Sequence, residues 1–186
     1  MRVREFERLL AAQTSNWSAS EIDQRTRALR AAGKLPVGGH GLNAPDVQAE
    51  QAAMILIALA ATERASASVE AVDNYASLRW QRLQKGETAF AGKRTFGEAL
   101  IAILEDRDNE RAVAEVQICR TWPWAIVRHG PAADQLAQYR SPWPAQGSGD
   151  VEEIVRLNYH FLQPLAIELA GTNDPGSDRT NVKGER

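Results

Sequence analysis

Cysteine is almost absent: Cys119 is the only one in 186 residues, which excludes a disulfide framework within the chain. Histidine is nearly as scarce. His40, His129 and His160 lie far apart, so no local zinc-binding spacing occurs and no metal or cofactor is expected. Long hydrophobic runs are missing as well. The longest strongly apolar stretch, Ala52 to Ala61, has ten residues, whereas a membrane-spanning helix needs about 20. The opening Met1-Arg-Val-Arg-Glu-Phe-Glu-Arg contains acids and no apolar signal core. A cytoplasmic protein without membrane contact is therefore expected, and the lone thiol fits a reducing compartment. With 13 glycines and 8 prolines, the composition is neither collagen-like nor that of a wholly disordered chain.

What is present is ordinary for a globular protein. The chain is 44% hydrophobic and 25% charged at 20.5 kDa, enough for one or two small domains with a core of their own. The net charge is −2, but it is unevenly spread. Residues 1–41 hold seven basic groups against four acids, so the head is positive and the remainder carries a deficit of five charges. A basic head on an acidic body is the asymmetry expected when one end meets a polyanion.

Alanine supplies 30 residues, which favours helix. Val3, Phe6, Leu9 and Leu10 have helical spacing over Val3 to Ala12. Ser18 and Glu21 form a capping box that opens a helix running to about Ala32, and Gly33 with Leu35-Pro36 ends it. Val37-Gly-Gly-His-Gly41 is an irregular loop. Asn43-Ala-Pro-Asp46 then offers a cap for a nearly all-apolar helix from Val47 to about Thr62, either a dimer interface or the central post of the monomer. Helices are also predicted over Ser66 to Leu83 and, behind the Thr95/Glu98 capping box, Phe96 to Glu105, with a turn at Asp106 to Glu110. β-branched and aromatic residues at Val113–Cys119 and Trp124–Val127 predict one β-hairpin. A short helix is expected over Pro131 to Arg140, then a Pro/Gly-rich connector. A last helix is expected over Val151 to Ala170, capped by Asp150 and Glu153 and kinked at Pro164. Residues 171–186 hold too little apolar surface to order.

Catalysis has weak support. Cys119, His129 and Asp134 have the chemistry of a nucleophilic triad, but Cys119 falls inside a predicted strand, where a buried structural thiol is commoner. Gly38-Gly39-x-Gly41 lacks the Gly-Lys-Ser/Thr ending of a phosphate loop. Trp122, Trp124 and Trp143 cluster with prolines and read as a lid on a small core. No enzyme is expected.

The most specific stretch is residues 18–44. Ile22, Thr26 and Leu29 share one face of the predicted helix. Ser18, Ser20, Gln24, Arg27 and Arg30 sit toward the other side, flanked by Arg25 and Lys34 as phosphate contacts and followed by His40 in the glycine loop. A helix carrying small residues, glutamine and arginine fits the major groove, about 12 Å wide, where Gln reads adenine and Arg reads guanine.

The pattern Arg25-Thr26-x-x-Leu29-Arg30-x-x-Gly33-x-Leu35 resembles the recognition helix and wing of winged helix-turn-helix DNA-binding proteins. The continuation Leu35-Pro-x-Gly-Gly-x-Gly-Leu-Asn-Ala-Pro45 is similar to regulators and packaging proteins of prophages and gene transfer agents. The resemblance covers about 45 residues. It implies a helix-turn-helix-like DNA-binding domain with a glycine-rich wing at 1–62; with the residue pattern beyond it, the expected fold is mainly α, with a helical body carrying one β-hairpin (about 111–129) at 63–170 and a disordered tail at 171–186. It also implies a sequence-specific transcriptional regulator that binds double-stranded DNA as a homodimer, with the C-terminal body free for another protein. A small terminase subunit assembling as a ring is the alternative, separable by solution mass. A protein-interaction adaptor without nucleic acid is the third reading.

Overall fold

The computed structural model describes residues 1–36, 46–82, 88–141 and 152–172. Helix α1 (Val3–Gln13) buries Val3, Phe6 and Leu10. Helix α2 (Ala19–Ala31) starts as its capping box dictates: the Ser18 hydroxyl accepts from the Glu21 N–H at 3.2 Å, and the Glu21 carboxylate accepts from the Ser18 N–H at 2.8 Å. Helix α3 (Ala49–Ala60) is the central post. Ile55, Leu56 and Leu59 are wholly buried, and α2, α4 (Ser68–Ala76) and α5 (Phe96–Glu105) pack around it. Because the monomer itself sheathes α3, that helix is not a dimer face. One continuous apolar cluster runs from Val3 to Leu169, so the expected division after residue 62 coincides with no break in the core. No helix among the described residues is long and apolar enough to cross a membrane.

The β content exceeds the expected hairpin. Strands β2 (Val113–Cys119) and β3 (Trp124–His129) do form that hairpin, with Pro123 in its turn, but they are the middle of a five-stranded antiparallel sheet ordered β1-β4-β3-β2-β5. The fold is therefore mixed, helix-rich with one full sheet, rather than helical with a lone hairpin. The expected helix at Pro131–Arg140 is instead strand β4 (Gln135–Arg140), whose Ala137 and Tyr139 point into the core while Gln135 and Arg140 face solvent. The helix expected to reach Leu83 ends at Ala76, and Arg79–Trp80 pair with β4 as β1.

The last predicted helix divides in two. Ile154–Asn158 form edge strand β5 on β2, and α7 (Tyr159–Thr172) follows. Leu157 points inward between the exposed Arg156 and Asn158, a period-two pattern. Asn158 then caps α7, its Oδ1 accepting from the Phe161 N–H at 3.0 Å. Glu153 is no helix cap here: its N–H donates to Thr121 Oγ1 at 3.0 Å. The stretch expected to turn at Asp106–Glu110 holds a short helix, α6 (Arg107–Ala112), capped by the Asp106 carboxylate. Gly171 and Thr172, expected in the tail, belong to α7, and 173–186 lie outside the described residues.

The helices close over the inner face of the sheet, and one contact there is unusually tight. A Cβ placed on Gly97, in the first turn of α5, would sit 3.0 Å from both the Cβ and the carbonyl oxygen of Ala76 at the end of α4. Gly97→Ala gains at most about 1 kcal/mol of helix propensity, while forcing two backbones apart costs about 1–3 kcal/mol. The expected result is a net loss of about 1 kcal/mol, read as a lower urea midpoint at unchanged slope.

Candidate nucleic-acid interface

Helix phase decides which side chains of α2 reach solvent. Its inward stripe is Ile22, Arg25, Thr26 and Leu29. Its outward row is Ser20, Gln24, Arg27 and Ala31, all four exposed. Gln24 Nε2 donates to Ser20 Oγ at 3.3 Å, and Arg27 is 73% exposed with Nη2 at 2.7 Å from the Asp23 carboxylate. Ser18 is exposed at the N-cap, but its hydroxyl is engaged with Glu21. That engagement holds the Glu21 carboxyl below its ordinary pKa, chiefly through the Ser18 N–H and then its hydroxyl.

Arg25 overturns its expected role as a phosphate contact. It is 2% exposed. Its Nη2 donates to the carbonyls of Thr62 (3.1 Å) and Glu63 (2.8 Å), and Nη1 to the Glu21 carbonyl (3.2 Å). Arg120, which no sequence signal singles out, works beside it. Its Nε donates to the Ala60 carbonyl at 2.9 Å, and Nη1 pairs with Glu63 and Glu153. The two guanidinium groups thus satisfy carbonyls left over at the C-terminal end of α3, where the helix dipole also favours positive charge. Lys34 is likewise partly committed: its ammonium pairs with Asp73 and ties the end of α2 to α4. His40 and the glycine-rich wing, at 37–45, lie outside the described residues.

Arg30 bridges α2 to α1, its Nη2 lying 3.6 Å from Glu7. Burial raises the Glu7 carboxyl above its ordinary pKa; Arg30 and Arg4 pull the other way, and Asp23 adds to the rise. The folded state thus prefers Glu7 protonated. Its favourable term is complete below the unfolded value near 4.5 and is lost as pH rises through the folded one. Glu7→Gln is therefore expected to be the more stable protein at pH 7, the advantage vanishing below about pH 4.5. Thermal melts across that range check the sign.

Arg4 and Arg8 extend the basic surface. They sit one turn apart on the exposed side of α1, and neither has an ion pair among the described residues. In the sequence they count toward the positive head but are given no place in the site. Their i, i+4 spacing on an amphipathic helix is the signal that could have found them.

The imagined triad does not assemble. Cys119 pairs with Trp124 at the turn end of the hairpin, whereas His129 pairs with Val113 at the far end, about 20 Å away at roughly 3.4 Å per residue. Among the described residues no group of three or more metal-ligating side chains converges. Comparison with family models, curated proteins and solved structures finds no match for this chain.

Proposed function

We propose that the protein binds double-stranded DNA through the outward side of α2, acting as a sequence-specific regulator of the kind the N-terminal resemblance implies. Ser20, Gln24 and Arg27 meet base edges. Arg30, together with Arg4 and Arg8 on α1, contacts flanking phosphates. The observation carrying this reading is the open row Ser20–Gln24–Arg27–Ala31, which presents hydrogen-bonding groups, one cation and no bulky obstruction.

The acidic partners of these arginines do not block such contacts. An exposed ion pair such as Arg27–Asp23 is worth at most about 1 kcal/mol. A bidentate arginine–guanine contact is worth about 1–3 kcal/mol, so DNA wins the exchange. The same pairing nevertheless favours a second reading, an adaptor whose surface charges are already compensated. A DNA titration at several salt concentrations separates the two, because binding through phosphates weakens steeply with salt. A packaging subunit would share the DNA surface and differ in solution mass.

A further inference from the structure

A polar cleft of about 290 Å³ lies between the α1–α2 turn and the β5–α7 junction, outside the α2 face. Its polar lining is Gln13, Thr14, Asn16, Arg156, Asn158 and His160, with no carboxylate among the lining residues. Trp17 and Phe161 form an apolar wall, meeting edge to face at 5.8 Å between ring centroids.

The hydrogen-bond network settles which groups remain for a ligand. Asn158 Oδ1 is occupied by the Phe161 N–H, which leaves its Nδ2 as a donor. Thr14 Oγ1 accepts from the Asn16 N–H at 3.0 Å, leaving its hydroxyl proton to donate. Arg156 is 61% exposed and held only loosely, 3.7 Å from Glu115. It meets Glu115 through Nη1 alone, on Oε2, while Gln117 donates to Oε1, so Nε and Nη2 of Arg156 make no bond among the described residues. Two acceptors are consumed internally, and the donors of Thr14, Asn158 and Arg156 belong to residues that line the cleft, a lining complementary to an acceptor-rich anion. The volume is at the small end for ligand sites, enough for a sugar phosphate rather than a large cofactor.

We propose that this cleft binds a phosphate ester, with the phosphate on Arg156 and Asn158. Two sources share that chemistry: a free nucleotide, or the backbone of a duplex engaged by α2, since Asn16 and Trp17 lead directly into the Ser18 cap. The duplex source rests on the reading of α2, whereas the free nucleotide does not, so the two readings can fail separately.

The test follows backbone-amide NMR shifts in the full chain on titration with deoxyadenosine monophosphate or a short DNA duplex. Movement of Asn16, Asn158 and His160 with the mononucleotide, abolished by Arg156→Ala and Thr14→Val, supports the cleft with a free nucleotide as ligand. Movement with the duplex alone, with Arg156→Ala weakening duplex binding about tenfold, supports it with the DNA backbone as ligand. Still resonances with both probes overturn the proposal. So does a duplex that shifts only Ser20 and Gln24 and is indifferent to Arg156→Ala, an outcome that leaves the α2 reading intact. Cleft shifts with the mononucleotide, in a protein that binds no duplex, support the cleft and overturn the α2 reading.

Discussion

Arg25→Met lowers the unfolding midpoint by about 6–12 °C. The replacement keeps the apolar stem but removes three donations to the carbonyls of Glu21, Thr62 and Glu63. Hydrogen bonds from a charged donor contribute about 1.5–3 kcal/mol each, though with partial compensation by water at the exposed Glu63 the net loss is about 3 kcal/mol. For a chain of this length that corresponds to about 2–4 °C per kcal/mol. Arg25→Lys retains the charge but not the planar fork that reaches carbonyls on two elements, so its midpoint falls between those of the wild type and the methionine variant. Arg27→Ala serves as the control. Its side chain is exposed, and such substitutions shift stability by no more than about 0.5 kcal/mol. Equal melting of Arg25→Met and Arg27→Ala would remove the assignment of Arg25 to the interior.

The second large effect is on DNA. Arg27→Ala with Arg30→Ala weakens duplex binding by about tenfold or more at about 100 mM salt, two arginine contacts each being worth about 1–3 kcal/mol before their ion pairs are repaid. The melting midpoint falls by about 4 °C, chiefly because Arg30→Ala removes the counter-charge of the half-buried Glu7, whereas the exposed Arg27–Asp23 pair contributes little. Asp23→Asn moves affinity in the opposite direction, since it releases Arg27 from its competing carboxylate.

These arginines illustrate how far the sequence can be read. The capping boxes at Ser18/Glu21 and Thr95/Glu98 fix helix starts through local hydrogen bonds, and both helices begin where those residues place them. Helix phase is legible too: Ile22, Thr26 and Leu29 define the buried side. Arg25, at i+3 from Ile22, falls inside that stripe. Its charge suggests solvent and hence a phosphate, whereas the deciding fact is that the residues following α3 present bare carbonyls to it. That partner is 37 and 38 residues away and leaves no local trace.

The missed strands have the same cause. Gln135–Arg140 contains no β-branched residue, and its inward positions are Ala137 and Tyr139. It is a strand because β3 and β1 bind its two edges, a tertiary effect that outweighs intrinsic propensity. At β5, Ile154, Val155 and Leu157 satisfy helical and strand spacing alike, and pairing with β2 decides between them. Asn158, the true start signal of α7, sits eight residues after Asp150, the cap that spacing alone suggests.

The most direct measurement is fluorescence-anisotropy titration of the full chain with a DNA duplex at salt concentrations from about 50 to 200 mM. Three phosphate-contacting cations, Arg4, Arg8 and Arg30, predict a slope of about −3 in log K against log salt, flattening by about 1 in the Arg27→Ala/Arg30→Ala protein. Absence of duplex binding by the folded wild type, or a slope that the double replacement leaves untouched, contradicts the placement of DNA on α2.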